Sequence, residues 1–445
     1  MLVRSNFSAK IKTMKSAFKT YDIRGVYPSE INEELAYLVG RAFLPGSSIV
    51  VGRDGRESSP KLMEEVCRGI IDSGGEVVDI GLTNTPLLNF TVAHYGYDGG
   101  VMVTASHNPA RFNGLKLIKE KALQVYGEEI EELREKIEKK EFRKGKGKKT
   151  TFNPLPLYLG HINAFCGDFR DIKIVLDFAN GVGAVTAEPL FSMLPAESSF
   201  MNAEIDGNFP HYEANPHDLS NLKKLQERVV KQKAHMGVFF DGDGDRSIIV
   251  DENGDIVSMD GWVSLLAKEE LRDHKGEKVY YDLRFSKSVE EEIREHGGEP
   301  VMMRVGNPFY KEKLILEGGV LGAELSGHIM FKDNYCIDDG LFAVIKTMNL
   351  LKSPLSSMIH KRHYQSEEIS IEVKDKDKVF EKVKDAFREG ESFHIDGIYI
   401  QFKDWWFNLR KSNTEDLVRL RLEAEKEDLL EEKKKELISL IKNEQ

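Results

Sequence analysis

Short apolar runs that empty into an acid recur along this chain. The run Ser48-Ile49-Val50-Val51-Gly52 gives way to Arg53 and Asp54. Leu62, Val66 and Ile70 then fall on one face at helical spacing, with Ser59 and Pro60 at the cap and first turn. Gly74-Gly75 stops this helix, and residues 76–81 read as a second strand. The pattern restarts at Lys173–Asp177, followed by a more weakly marked helix and a close near residues 205–207. It restarts again at Lys278–Asp282, where Ser288 and Glu291 have capping-box spacing, Gly297-Gly298 ends the helix and residues 300–306 return. Strand, helix and strand form a βαβ unit, which predicts parallel pairing with helices packed on the sheet.

Each copy leads to a further apolar segment that opens into a polar loop: residues 100–104, 237–241 and 319–324. One such match is ordinary for α/β chains, but three with the polar loop in the same place point to duplication. Ligands of open α/β sheets sit beyond the strand ends, so the three loops are expected to share a cleft. From about residue 366 the pattern changes. Residues 369–373 alternate as a strand, a helix is predicted over 377–388, and Asp396-Gly397 signals a hairpin between His394-Ile395 and residues 398–400. A strand over 417–423 and a charged helix complete a small α+β domain, and the basic, glycine-bearing stretch Arg143 to Lys149 reads as a linker. The expected domains are 15–150, 151–252, 253–365 and 366–445.

Composition narrows the function classes. A chain of 445 residues, 40% hydrophobic and 31% charged, has room for three or four soluble domains. Its net charge of −11 argues against a nucleic-acid partner, because duplex binding rests on cations that neutralise phosphates. A small anionic substrate remains compatible, provided the cleft is locally basic. Cys67, Cys166 and Cys336 match no zinc or CxxC spacing, which points to a reducing cytoplasm. No apolar run is long enough to span a membrane. Residues 1–19 are basic and free of acids, a composition shared by transit peptides; a ragged extension, with Met14 as an alternative start, is the simpler expectation. Composition does not fix the oligomeric state.

The loops carry the chemistry. In Asp241-Gly242-Asp243-Gly244-Asp245-Arg246, glycines let three carboxylates converge, and converging carboxylates require a cation; oxygen ligands suit Mg²⁺ or Ca²⁺. Asp241, Asp243, Asp245, Ile248 and Glu252 match EF-hand spacing, but Arg246 stands where that loop needs glycine and the flanks read as strands. Thr104-Ala105-Ser106-His107-Asn108-Pro109 places a serine at a strand end beside a histidine, a short reach from Lys116. Taken alone it fits an ordinary turn, and without a G-x-S-x-G elbow it does not read as a hydrolase triad. Glu324-Leu325-Ser326-Gly327-His328 offers groups for sugar hydroxyls, and Arg410-Lys411-Ser412-Asn413-Thr414 offers groups for a phosphate dianion.

Together and in this order, with Tyr21-Asp22-Ile23-Arg24-Gly25, these loops resemble the α-D-phosphohexomutase family, in its phosphomannomutase/phosphoglucomutase branch. The resemblance covers nearly the whole chain beyond about Lys15. It implies three similar α/β domains with mixed sheets plus a C-terminal α+β domain, TATA-binding-protein-like, around a central cleft. It implies that Ser106 carries a phosphoryl group and that Asp241, Asp243, Asp245 and a phosphoserine oxygen hold one Mg²⁺. Glu324, Ser326 and His328 would grip the sugar; Arg410, Ser412, Asn413 and Thr414 would hold the non-reacting phosphate, with Tyr21 also at the substrate. Arg24, His107, Lys116 and Arg246 would line the reacting centre, with Lys116 moving the proton. The substrate would be a phosphorylated hexose and the activator a hexose 1,6-bisphosphate. Three aspartates and a phosphoserine near −2 sum to about −5, Mg²⁺ leaves about −3, and Arg24, Lys116 and Arg246 balance it. Three departures stand out: Ala323 before Glu324, Asp416 for a common proline, and Asn307 where relatives often carry histidine. Phosphoglucosamine mutase is the runner-up, disfavoured by Ser412-Asn413-Thr414. A non-catalytic phosphosugar-binding protein and a metal-dependent phosphatase are the readings from other classes.

Overall fold

The first apolar run of each repeat becomes the parallel partner of two neighbouring strands, as its near-continuous Val, Ile and Leu content requires of a strand buried on both faces. The computed structural model describes residues 16–411 and 416–442. By internal contacts the chain divides into two units.

The first unit comprises residues up to 257 with 311–317 and 326–358. Its larger sheet is built from β1 (Ile23–Val26), β2 (Ser48–Arg53), β3 (Glu76–Leu82), β4 (Gly99–Val103), β5 (Phe112–Lys119) and β6 (Lys149–Thr151), in the order β1-β5-β4-β2-β3-β6. β2 is parallel to β3 and β4, β3 is parallel to β6, and β5 is antiparallel to β4 and β1. The stretch read as a linker therefore ends as a strand. It is also tied to the end of the helix Ser59–Asp72, where the Gly147 N–H meets the Ile71 carbonyl at 2.9 Å. A bare edge of β3 would leave backbone groups without partners, and this segment supplies them.

The smaller sheet of this unit, β7 (Lys173–Asp177), β8 (Glu197–Met201), β9 (Met236–Phe240) and β10 (Ser247–Asp251), runs β10-β9-β7-β8. β7 is parallel to β8 and β9, while β9 and β10 form an antiparallel hairpin. The returning strand of the second repeat, β8, lies ahead of residues 205–207, where the sequence placed the close of that unit.

The second unit comprises 258–310, 318–325 and the described residues from 359 onward. In it β11 (Lys278–Asp282) lies parallel to both β12 (Glu299–Met303) and β13 (Leu321–Ala323). The next strand, β14 (Ile329–Phe331), belongs to the first unit. A separate antiparallel sheet follows from β15 (Tyr364–Gln365), β16 (Ile369–Glu372), β17 (Glu391–Phe393), β18 (Ile398–Gln401), β19 (Trp405–Lys411) and β20 (Leu417–Ala424). Its order is β15-β20-β19-β18-β17, with β16 also on β20. Val379 and Val383 of one helix and Leu437 and Ile441 of another pack with Phe407 and Leu420 of this sheet in one core. β17 ends at Phe393, so His394 and Ile395 join Asp396-Gly397 in the turn, where Gly397 takes φ +71°. Three α/β domains with mixed sheets and a C-terminal antiparallel-sheet domain thus make up the chain.

One local device repeats in all three α/β domains. The acid at the end of the first strand accepts the N–H two residues on: Arg56 to Asp54 at 3.0 Å, Ala179 to Asp177 at 3.0 Å and Arg284 to Asp282 at 2.9 Å. Such Asx turns need only the acid and a strand that stops. Two caps differ from expectation. Ser59 does not cap its helix but donates to Asp54 at 2.5 Å, and Ser286, rather than Ser288, caps the helix Lys287–Glu295. No helix among the described residues is long and apolar enough to cross a membrane.

Candidate active site

Ser106 sits just past the end of β4 with φ +51°, a left-handed backbone that costs a non-glycine residue about 1–3 kcal/mol. Two side chains hold it there. The Ser106 N–H donates to Thr104 Oγ1 at 2.9 Å. Arg56, only 1% exposed, donates to the carbonyls of Ser106 at 2.9 Å, Asn108 at 2.6 Å, Pro109 at 2.8 Å and Phe112 at 3.1 Å, and its Nε meets Asp54 at 3.1 Å. One guanidinium therefore clamps the whole serine loop.

The loop between β9 and β10 reaches the same place. A Cβ on Gly242 would lie 2.4 Å from the Ser106 carbonyl oxygen, so only glycine lets the two loops touch. Ser106 Oγ donates to Asp241 Oδ2 at 3.1 Å and accepts from Arg246 Nη2 at 2.9 Å. The same guanidinium binds Asp241 at 2.7 Å and donates to His107 Nδ1. Burial, and then the charge of Arg246, hold the His107 imidazole far below its usual range, so the ring is neutral and Nδ1 accepts. Thr85, at the start of the helix Thr85–Tyr95, donates its hydroxyl to Asp243 at 2.5 Å and its N–H to the Asp243 carbonyl at 3.0 Å. Lys116 Nζ, carried by β5, lies 2.6 Å from both Asp243 and Asp245.

These carboxylates are not a solvated turn: Asp241, Asp243 and Asp245 are each 0% exposed. Burial pushes the Asp241 carboxyl up to about 7, with Arg246 pulling against it. Burial raises Asp243 too, but Lys116 outweighs it and keeps that carboxyl below its usual range. Burial opposes the charge on Lys116, and Asp243 and Asp245 restore it, keeping the ammonium protonated. A divalent cation fits this set. Ligand oxygens of the three aspartates lie within 4.8 Å of one another, and Asp243 Oδ1 and Asp245 Oδ1 are buried without a hydrogen-bond partner. Oxygen-only donors of this kind suit Mg²⁺.

Ser106, His107, Lys116, Asp241, Asp243, Asp245 and Arg246 are thus directly linked. Arg24 joins through Asn108 of the serine loop, Nη1 to Oδ1 at 2.6 Å, and also pairs with Asp22. The Tyr21 carbonyl accepts from Gln124 at 2.6 Å. Ser326 Oγ is buried without a hydrogen-bond partner, and His328 Nδ1 lies 3.9 Å from Asp245 and 3.0 Å from Asp338. In the second unit, Glu324 meets Arg284 at 3.3 Å and Arg410 meets Glu368 at 2.5 Å. Ser412, Asn413 and Thr414 lie outside the described residues. Sequence reasoning missed Arg56, Thr85, Asp338 and His217, whose Nε2 is 3.5 Å from Arg246 Nη1. For Arg56 a signal existed: acid-x-Arg after the first strand recurs as Asp282-x-Arg284.

Comparison with known proteins agrees domain by domain. Family models described as phosphoglucomutase/phosphomannomutase alpha/beta/alpha domains I, II and III match residues 15–144, 157–254 and 259–365, and the model of the C-terminal domain matches 368–440. A phosphomannomutase/phosphoglucomutase of Pseudomonas aeruginosa is 33% identical over 441 residues, covering 95% of each chain. A phosphomannomutase of Vibrio cholerae is 36% identical over 459 residues, covering 96% of this chain and 98% of that one. The crystal structure of a phosphoglucomutase/phosphomannomutase family protein from Burkholderia thailandensis superposes with a TM-score of 0.90 at 32% identity, covering 96% of this chain and 97% of that one. The chain belongs to the phosphoglucomutase/phosphomannomutase family, the α-D-phosphohexomutases, and is an isomerase that transfers a phosphate group within its substrate.

Proposed function

We propose that the chain interconverts hexose 1-phosphate and hexose 6-phosphate through phosphorylated Ser106, with a hexose 1,6-bisphosphate as intermediate and activator. The observation that carries this reading is Ser106 Oγ lying 3.1 Å from Asp241 in a buried three-carboxylate cluster with two open oxygens. Relatives named for both mannose and glucose stand at similar identity, so both sugars are proposed as substrates.

Asp241, Asp243, Asp245 and a phosphoserine oxygen would hold one Mg²⁺, which when bound supplies neutralising charge at the transferring phosphoryl group. The chain's own residues do the rest. A free hydroxyl of the hexose phosphate attacks phosphorus; the new O–P bond forms as the bond to Ser106 Oγ breaks. Arg246, already 2.9 Å from that oxygen, stabilises the charge it gains. The proton leaving the attacking hydroxyl replaces the one that the donor lysine passes to Ser106 Oγ, so no proton is gained or lost. Lys116, kept protonated by its aspartates, is the proposed donor in this exchange. His107 stays neutral and orients Arg246, and Arg24 adds positive charge beside the serine loop. In the reverse half-reaction the intermediate presents its other phosphate to Ser106. Glu324, Ser326 and His328 are proposed to grip the sugar in both orientations, with Tyr21 at the substrate. Arg410, Ser412, Asn413 and Thr414 are proposed to hold whichever phosphate is not reacting.

The domain limits 15–150, 151–252, 253–365 and 366–445 are proposed as one duty each: phosphoserine, metal, sugar and distal phosphate. The unbridged cysteines fit a cytoplasmic enzyme. The test is an assay of mannose 1-phosphate and glucose 1-phosphate with Mg²⁺ and a trace of bisphosphate. The 6-phosphates should form, and Ser106→Ala should abolish turnover. Full activity in that variant would sink the reading.

A further inference from the structure

Beyond the residues assigned above, the first unit carries a buried chain of charges that ends on His328. His328 Nδ1 lies 3.0 Å from Asp338 Oδ2, and Asp338 Oδ1 lies 3.0 Å from Lys311 Nζ. Asp338 is 2% exposed and Lys311 1%. A buried ion pair returns little net stability once desolvation is counted, so this one asks for another use. Its geometry supplies one. Lys311 grips one carboxylate oxygen and the imidazole takes the other, so the Asp338 carboxylate is fixed in rotation. An acceptor at Nδ1 makes that nitrogen the protonated one. Nε2, with no hydrogen-bond partner among the described residues, is then the nitrogen left for a ligand. Backbone bridges of His328 to Arg246 and of Asp338 to Met330 fix the ring between the metal loop and the carboxylate.

We propose that Asp338 and Lys311 are positioning residues that lock the tautomer and orientation of His328, so that Nε2 meets a hydroxyl of the bound hexose phosphate. This rests on the reading of His328 as a sugar contact. Neither residue touches the reacting atoms; both act through the imidazole, as partners of ligating histidines do.

The test compares two doubly substituted full-length chains. Lys311→Met/Asp338→Leu removes both charges and the acceptor while keeping volume, an exchange that buried pairs often tolerate. Lys311→Met/Asp338→Asn removes the charges but leaves an acceptor oxygen for Nδ1. The leucine chain should raise KM for hexose 1-phosphate about 10-fold or more with kcat far less changed, and the asparagine chain should recover most of that loss. In a His328→Ala background the leucine pair should change kcat/KM by less than about 3-fold, because the residue it acts through is gone. Nitrogen-15 NMR of histidine-labelled protein gives a readout without turnover: the His328 signal should show a protonated Nδ1 in the wild-type and asparagine chains, and lose it in the leucine chain. An unprotonated Nδ1 in the wild type, an equal kinetic loss with and without His328, or an asparagine chain as impaired as the leucine chain would overturn the proposal. If the wild type interconverts no hexose phosphate while the NMR signature holds, the mutase reading fails and the lock on the ring stands.

Discussion

Two charge clusters, one buried in the first unit and one partly exposed in the second, gather three carboxylates each and end in opposite states. In the first unit Asp241, Asp243 and Asp245 face two cations, Lys116 and Arg246, and leave two oxygens open. In the second, Asp282, Glu324 and Glu368 face three guanidinia. Arg284 lies 2.9 Å from Asp282 and 3.3 Å from Glu324; Arg410 and Arg419 lie 2.5 Å and 3.1 Å from Glu368. Planar guanidinium forks close carboxylates off in pairs, whereas one ammonium shared between two aspartates cannot. The difference teaches where an outside cation is needed. Acid count does not decide it; the fraction of carboxylate oxygens that the protein itself satisfies does.

The largest expected effect separates the clusters outright. Stripping divalent cations with a chelator should remove several kcal/mol of transition-state stabilisation, a loss of roughly 10³-fold in turnover, restored by Mg²⁺. Mg²⁺ should also raise the melting temperature of the wild type and not of Asp243→Asn. If turnover survives metal removal, the comparison breaks.

Next comes the clamp on the serine loop. Arg56→Met strands Asp54 and four carbonyls in the interior, and breaking such a buried pair costs about 3–5 kcal/mol, readable by denaturant unfolding. Arg284→Met should cost somewhat less, about 3 kcal/mol, because Arg284 is 9% exposed against 1% for Arg56. It should leave the apparent affinity for Mg²⁺ unchanged. A shift in Mg²⁺ affinity there would contradict the separation drawn between the clusters.

A third way to bury an acid sharpens the comparison. Asp339 accepts from Tyr158 Oη at 2.7 Å, Asn334 at 2.8 Å and the N–H groups of Leu341 and Phe342, all neutral donors. Burial wins over these bonds and raises its carboxyl from 3.8 to about 6. A folded-state value above the unfolded one means that ionisation is disfavoured in the native protein. Stability from this group is therefore full below pH 3.8 and is lost as pH rises towards 6. The loss is on the order of 3 kcal/mol by the usual conversion. Asp339→Asn should flatten the stability curve between those pH values and lower it as a whole by about 1 kcal/mol for each weakened hydrogen bond. An unchanged slope would show that the carboxyl ionises normally in the native state.

What the chain spells out locally, it spelled out well. Apolar runs ending at Asp54, Asp177 and Asp282 marked the first strand of each repeat because strand burial and Asx turns need only neighbouring residues. The alternating aspartates and glycines of 241–246 announced convergent carboxylates, since glycine at 244, with φ +73°, is a local condition for that turn; Gly242 is required by the distant serine loop instead. The serine loop and the Glu324 and Arg410 loops each fit an ordinary polar turn when taken alone, and pointed to a site only as an ordered set. The failures lay where a local pattern met a competing partner, near or far. Ser59 turned from its helix cap to Asp54, and the basic stretch before Lys149 was taken up by the edge of β3. Tertiary structure alone decided who closes which charge. Arg56 reaches carbonyls some fifty residues away, Lys116 finds aspartates 127 and 129 residues on, and Lys311 finds Asp338 across 27. Hydrophobic periodicity records which face of an element is buried. It carries no term for the partner of a buried charge, because that partner is chosen by low dielectric and close packing once the chain has folded.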